Sequence, residues 1–156
     1  MKNFKIWSMA VVLLMSVVAC GPDTPSTSGG GNSVPDLENI EKDWKLVSVN
    51  GVEPEFSVYL WLFDGLFSIY QQVYSLDYVM YDGDYTVSGN KLSGVYHDGT
   101  PWKCNYIGSV SEDGNTMTLV SDQLNPVTCV YEACVIPDDV IEEASTRSTE
   151  LFDYFL

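Results

Sequence analysis

Histidine is nearly absent from this chain of 156 residues, which contains one, His97. Zinc sites that use several histidines are therefore excluded, and a serine or cysteine mechanism would have to use this single ring. His97 precedes Asp98-Gly99, a turn signal at the tip of a predicted hairpin, where exposure is expected. The chain also lacks a phosphate-cradling glycine loop, a Gly-x-Ser-x-Gly elbow and a Cys-x-x-Cys pair. We predict no catalytic residue, no cofactor and no enzymatic activity.

Clustered metal ligands are scarce as well. Asp82-Gly83-Asp84 resembles a fragment of a calcium loop, because hard cations prefer several carboxylates on a bent backbone. The remaining ligands of an EF-hand do not follow it. The segment therefore predicts a turn or bulge with two solvated acids, and we predict no metal site.

Basic residues are few, with 7 Lys and Arg against 22 Asp and Glu, and the formal net charge is -15. A field of that sign repels the phosphates of nucleic acid and anionic lipid headgroups. Nucleic acid is therefore excluded as a partner. The acids are scattered along the chain, which is typical of a solvated surface.

The chain has no apolar run of the about 20 residues that a transmembrane helix needs. The run over residues 6–18 is shorter, follows two lysines and leads into the small-residue pattern Val-Val-Ala-Cys at residues 17–20. This organisation is typical of a secretory signal peptide, and the cleavage pattern disfavours an uncleaved anchor helix. It resembles the lipobox of bacterial lipoproteins, which implies that residues 1–19 are removed and that Cys20 is lipidated.

The segment after Cys20 is rich in Gly, Ser, Thr and Pro and lacks large apolar residues up to position 33. We interpret residues 20–36 as a flexible tether and residues 37–156 as one folded domain. The protein is then exported and attached through its lipid to the outer membrane. Whether the protein faces the periplasm or the cell surface stays open, because Asp23 alone is a weak version of the acidic pattern expected for surface display.

Three cysteines remain for the folded domain, Cys104, Cys129 and Cys134. An exported chain permits disulfides, but three thiols form at most one internal pair. Cys129 and Cys134 on one extended strand would be about 16 Å apart, beyond bridging reach. A pair between Cys104 and either of the others stays open, as does the alternative of small buried thiols.

Between residues 43 and 136, β-rich runs alternate with turn signals. Asp64-Gly65 and Asp113-Gly114 supply the positive backbone torsions that tight hairpins need. The predicted strands cover residues 43–50, 57–63, 66–73, 79–88, 91–97, 102–111, 116–121 and 127–135.

Alternation gives these strands an inner and an outer face. Val79, Tyr81, Tyr85 and Val87 fall on one side of their run, and mostly polar residues fall on the other. Because closure removes the exposed edges of a meander, we predict an all-β fold. It is an antiparallel up-and-down barrel of about eight strands, preferred to a sandwich.

Two further elements follow the last predicted strand. Residues 137–144 begin with proline and acids, which predicts one short C-terminal helix. The apolar residues 151–156 either pack back on the barrel or extend from it.

Four segments carry a family resemblance, namely 44–51 (WKLVSVNG), 81–87 (YDGDYTV), 92–96 (LSGVY) and 113–119 (DGNTMTL). Their order resembles that of lipocalin-like, calycin-type lipoproteins of Bacteroidetes-type bacteria, over residues 43–136. Lys42 stands where the lipocalin Gly-x-Trp pattern has glycine, so Trp44 alone carries over. The resemblance implies that Trp44 plugs one end of a barrel, and that the fold binds a small apolar molecule.

Aromatic residues are plentiful, with 4 Trp, 10 Tyr and 6 Phe. The strand that carries Tyr59, Trp61 and Phe63 is apolar on both faces, typical of burial on both sides or of a cavity wall. A small barrel either fills its interior or holds one ligand. The predicted ligand-lining residues are Trp61, Tyr81, Tyr85, Trp102, Tyr106 and Tyr131.

These observations predict a lipid-anchored cell-envelope binding protein. It would hold a small, partly apolar ligand in or at the mouth of the barrel. The alternative is a surface accessory protein that contacts a glycan or a partner protein through exposed aromatics and has no internal ligand.

Overall fold

The structure, a computed structural model, describes residues 37–73, 75–145 and 154–156. The predicted signal peptide, the lipidated Cys20 and the tether lie outside the described residues. Within the described ranges, no helix is both long enough and apolar enough to cross a bilayer.

Eight strands form one closed barrel. They are β1 (Asp43–Val49), β2 (Val58–Phe63), β3 (Leu66–Gln71), β4 (Val79–Ser88), β5 (Lys91–Tyr96), β6 (Tyr106–Val110), β7 (Thr116–Ser121) and β8 (Thr128–Ala133). Each strand is antiparallel to the next along the chain, and β1 pairs with β8. The predicted up-and-down β-barrel is confirmed.

The turn chemistry explains why the strands end where they do. Between β2 and β3, Asp64 and Gly65 have φ angles of 48° and 77°. Two consecutive positive φ angles make the tight turn whose twist matches the flanking strands. This turn sets Phe63 opposite Leu66 and thereby fixes the register of the whole hairpin.

The interior of the barrel is filled by side chains that alternate with outward-facing ones along each strand. The largest fully buried side chains are Trp44, Tyr131 and Phe67. Other buried residues of the same core include Leu46, Val58, Leu60, Leu62, Ile69, Leu92, Met117 and Leu119. Most of the barrel interior is therefore a packed core.

One end of the barrel is closed by the residues that precede β1 and by the start of β1 itself. Leu37, Ile40 and Trp44 are buried there. The indole Nε1–H of Trp44 donates a hydrogen bond of 2.8 Å to the Ile40 carbonyl oxygen. We call this the closed end, and Trp44 lies where the resemblance implied.

The predicted strand over residues 102–111 is shorter than expected, because β6 begins at Tyr106. The preceding amide N–H, that of Asn105, donates to the side-chain carboxylate of Asp122, 3.1 Å away. Trp102 instead donates its backbone N–H to the Gly94 carbonyl oxygen, at 2.9 Å. The residues before β6 therefore lie at the junction of β5 and β6, where these two strands pair over only a short stretch.

The single described helix, α1 (Asp138–Ser145), confirms the predicted C-terminal helix. Its acidic first turn follows Pro137, as helix N-termini favour. Val140 and Ala144 are buried against Tyr59 and Tyr70 on the outside of the barrel. The helix therefore covers the outer face of β3 and β4 at this point.

Candidate functional site

The structure places one of the six predicted ligand-lining residues on the outside of the barrel. Trp61 is flanked along β2 by Leu60 and Leu62, both fully buried in the interior. Because strand neighbours point to opposite faces, the indole of Trp61 points outward. The prediction that Trp61 lines the interior is therefore corrected.

Tyr85 lies apart from the other predicted residues, toward the closed end. It borders an open cleft of about 480 Å³ that also contains Glu41 and Lys42. Burial raises the pKa of its hydroxyl. This cleft is the larger of the spaces described here, but it gathers only this one predicted residue.

The other four predicted residues, Tyr81, Trp102, Tyr106 and Tyr131, converge inside the barrel. The ring centroids of Trp102 and Tyr106 are 6.1 Å apart, and Tyr81 contacts Tyr96 at 6.2 Å. Phe67 joins the two pairs, 5.1 Å from Trp102 and 5.3 Å from Tyr96. These edge-on contacts make one continuous aromatic wall.

This wall reaches the end of the barrel opposite the closed end, which we call the mouth. The mouth lies at the ends of β3 and β5 and the starts of β2, β4 and β8, and it is bordered by Phe56, Gln71, Tyr81, Tyr96 and Cys129. A cavity of about 150 Å³ lies there, with Tyr106 and Cys129 in its wall and Phe155 against it. Its other lining residues are Val49, Lys103, Cys104, Ser121, Gln123 and Val127.

Two of the predicted site residues carry a buried donor group that has no hydrogen-bond partner among the described residues, although neither lines this cavity. These groups are the hydroxyl of Tyr131 and the indole Nε1–H of Trp102. Complete burial raises the pKa of Tyr131 well above its ordinary value, so the hydroxyl keeps its proton. Because an unpaired buried polar group is costly, such groups mark places where an acceptor is missing.

Two thiols, those of Cys104 and Cys129, lie in the wall of the cavity. Burial raises the pKa of Cys129 to about 11, with a smaller contribution from Cys104. Burial is also the main cause of the raised pKa of Tyr106, followed by its hydrogen bond to Cys104. Cys104, Cys129 and Cys134 are all free thiols in the structure. The cavity wall thus combines apolar side chains and two thiols with the basic side chain of Lys103.

The segment of residues 154–156, which we call the tail, packs into the mouth. The ring of Tyr154 stacks on Tyr96 with centroids 3.9 Å apart, and Phe155 meets Phe56 edge-on at 5.8 Å. Leu156 is 1% exposed and belongs to the barrel core. The expectation that this end of the chain packs on the barrel is confirmed for these residues, while 151–153 lie outside the described ranges.

A hydrogen bond at the rim holds the tail in addition to its packing. The Tyr154 hydroxyl donates to the Asp98 carboxylate over 2.6 Å. This bond raises the pKa of Tyr154 to about 12 and is the largest cause that lowers the pKa of Asp98. The contact is therefore present at neutral pH, and it is lost as the pH rises through about 12 or falls through the lowered pKa of Asp98.

The single histidine lies on the surface of the barrel. His97 Nδ1 is 3.2 Å from Asp82 Oδ1, and both side chains are largely exposed. Asp82 and Asp84 belong to the regular strand β4, where a bulge or turn was predicted. In the described part of the chain, no group of three or more His, Cys, Asp or Glu side chains is arranged to hold a metal ion.

Two residues of the mouth, Tyr96 and Gln71, were not predicted from the sequence. Tyr96 follows Leu92 and Gly94 on the inner face of β5, so its alternation already pointed inward. Gln71 is 1% exposed and continues the inward series of Phe67 and Ile69. A polar residue at the end of an inward apolar series was the signal that could have identified Gln71.

The fold and this site define a small closed β-barrel with an aromatic mouth that contains its own tail. No protein-family model and no curated protein matches the chain.

Proposed function

We propose that this chain is a lipid-anchored binding protein of the cell envelope. It holds a small, partly apolar molecule at the mouth of its barrel. In this proposal the protein is a lipocalin-like lipoprotein, attached through Cys20 to the outer membrane. The observation that carries the binding function is the cavity at the mouth, which Tyr106 lines and which borders the core that also contains Tyr81, Trp102 and Tyr131.

The size of the cavity limits the ligand that fits beside the tail. A cavity of about 150 Å³ suits a molecule of the size of benzene, whereas pockets for larger ligands are about 300–1,000 Å³. The rest of the interior is packed with buried side chains. The ligand site is therefore the mouth, and the barrel centre is its floor.

The chemistry of the wall indicates the polarity of the ligand. Its rings and aliphatic side chains favour an apolar body. The partnerless donors of Tyr131 and Trp102, which are core residues outside the cavity lining, favour a hydrogen-bond acceptor on a ligand that reaches past that lining. Together they favour a compact molecule with an apolar body and at least one carbonyl, ether or hydroxyl oxygen.

Replacing Tyr131 with phenylalanine tests this proposal. The variant removes a buried hydroxyl without a partner, so we expect unfolding free energy to be unchanged or raised by about 1 kcal/mol. We also expect ligand occupancy to fall by about tenfold, because the acceptor of the ligand loses its donor. Native mass spectrometry of the full chain purified from its host, with identification of the extracted small molecules, measures occupancy.

The matched control is Tyr70→Phe, which removes a hydroxyl from the outer face beneath α1. We expect this control to leave the occupancy of the mouth unchanged. A clean apo mass for the unaltered protein, or equal occupancy in both variants, would overturn the proposal.

A second function is favoured by one observation on the outer face of the barrel. The rings of Trp61 and Phe63 stack side by side, with centroids 6.1 Å apart and an interplanar angle of 29°. Phe63 is 54% exposed, and Leu66 opposite it is 44% exposed. Exposed aromatic rows of this kind are suited to contact with a glycan or a partner protein.

Binding of the full chain to a glycan array distinguishes this surface from the mouth. For a surface function, Phe63→Ala should weaken the bound signal by at least tenfold, and Tyr131→Phe should leave it unchanged. The reverse pattern would favour the mouth. A signal that neither substitution changes would exclude both sites as the glycan contact.

A further inference from the structure

The tail is bound in the mouth in the way that a ligand would be. Leu156 enters the core, and Phe155 forms part of the wall of the 150 Å³ cavity. Tyr154 lies between Tyr96 and Tyr81, stacked on the first and edge-on to the second at 4.7 Å. The rings of Tyr154 and Phe155 therefore contact residues that border the mouth, and the side chain of Leu156 is buried in the core.

The backbone of the tail is also recognised by side chains of the barrel. The Phe155 N–H donates to Gln71 Oε1 over 2.9 Å, and the Tyr96 hydroxyl donates to the Leu156 carbonyl oxygen over 3.3 Å. Gln71 and Tyr96 are 1% and 3% exposed, so both contacts are made by buried polar groups. Hydrogen bonds to a peptide backbone from buried side chains resemble a peptide-binding site more than ordinary surface packing.

The tail and a ligand would compete for the same space. A molecule larger than the cavity reaches the wall of Tyr106 and Cys129 only if Phe155 moves away. When a competent state is a fraction of the population, apparent affinity falls by that fraction. An occupied mouth therefore weakens the binding of every ligand that needs the space of the tail.

We propose that residues 154–156 are an internal occupant of the ligand site, so that the tail blocks the mouth and a ligand larger than the 150 Å³ cavity must displace it. The inference rests on the proposed binding function and adds its regulation. It also assigns a second class of ligand to the mouth, namely an extended apolar peptide with an aromatic residue followed by leucine.

The test compares the full chain with the double variant Phe155→Ala/Leu156→Ala. The probe is N-phenyl-1-naphthylamine, an uncharged fluorophore whose three aromatic rings exceed the space beside the tail. We expect the double variant to bind the probe at least tenfold more tightly than the unaltered chain, at one probe per chain. Leu124→Ala, at a leucine that is 97% exposed, is the matched control and should behave as the unaltered chain.

Competition in trans identifies the site. An acetylated peptide of residues 150–156 should displace the probe from the double variant, and the same peptide in reversed order should not. Far-UV circular dichroism checks that the variants are folded. Tyr154→Phe is a milder second variant that keeps the ring and removes the hydrogen bond to Asp98, with about threefold tighter probe binding expected.

A readout without ligand separates the inference from the proposed function. Iodoacetamide labelling, followed thiol by thiol with peptide mass spectrometry, should be at least tenfold faster at Cys129 in the double variant. Cys134, which packs beside α1 on the outer face, should react at the same rate in both proteins.

The outcomes differ for the two proposals. Equal probe binding and equal Cys129 labelling in the double variant and the unaltered chain would overturn the blocking role and leave the ligand site in place. Faster labelling of Cys129 with no probe bound by any form would support the tail as the occupant and contradict the small-molecule site.

Discussion

Replacing Trp44 with alanine is expected to lower the free energy of unfolding by about 3–5 kcal/mol. Its indole is fully buried at the closed end, donates to the Ile40 carbonyl and lies under the ammonium of Lys42, 5.3 Å from the ring centroid. Removing it leaves a cavity in a region that the surrounding strands hold apart, and the Ile40 carbonyl oxygen keeps only its 2.9 Å bond from the Lys42 N–H. Urea unfolding followed by far-UV circular dichroism measures the loss.

Trp61→Ala is the matched control for this prediction. It removes the same side chain from the same barrel, but from the outer face, where the indole is only partly buried. We expect a loss of about 1 kcal/mol. Similar losses for the two tryptophans would contradict the assignment of Trp44 as the plug of the closed end.

Gly83→Ala is expected to cost at least about 3 kcal/mol, the second large effect. A Cβ atom at this position would be 2.1 Å from the carbonyl oxygen of Val95 and 2.7 Å from the Cα atom of Tyr96. Both atoms are backbone of the paired strand β5, so no side chain can rotate away to relieve the overlap. Strands β4 and β5 would have to separate next to the mouth.

Gly89→Ala separates this overlap from the ordinary effect of replacing a glycine. Gly89 has a φ angle of 60° in the turn between the same two strands, and an added Cβ would meet no atom within 4 Å. Its substitution should cost about 1 kcal/mol through backbone strain alone. Equal urea midpoints for the two variants would contradict the close approach at Gly83.

The packed core and the tail in the mouth together limit the size of the ligand. With the tail in place, the mouth offers about 150 Å³, enough for a single ring. With the tail displaced, the places of Phe155 and Leu156 become part of the same space. A ligand that binds by displacing the three residues of the tail must offset the free energy that holds them in the mouth. Its affinity therefore reports the stability of the docked tail.

The strands were predictable because their turns and their alternation depend on neighbours in sequence. Asp64 and Gly65 tolerate the two consecutive positive φ angles of the β2–β3 turn, and the inward series of β4 can be read from Val79 to Tyr85. The strand before Tyr106 was predicted too long because Asp122, distant in sequence, supplies the partner of the Asn105 amide.

The candidate site was predictable in part for the same reason. Tyr81, Tyr106 and Tyr131 follow the inward alternation of their own strands, and the structure brings them together. Trp61 was misplaced because β2 is apolar on both faces, and local sequence does not say which face closes on the core. The helix α1, which covers the outer face nearby, made apolar residues on that face favourable.

The sequence alone determined the all-β class, the number of strands, the single short helix and the excess of negative charge, because these follow from local torsions, period and composition. The tertiary structure decided which residues share the interior, that the core is filled, and that the tail lies in the mouth beside Cys104 and Cys129. Those properties depend on contacts between residues far apart in the chain, such as Gln71 and Phe155. They arise only when barrel closure brings the strand ends to one rim.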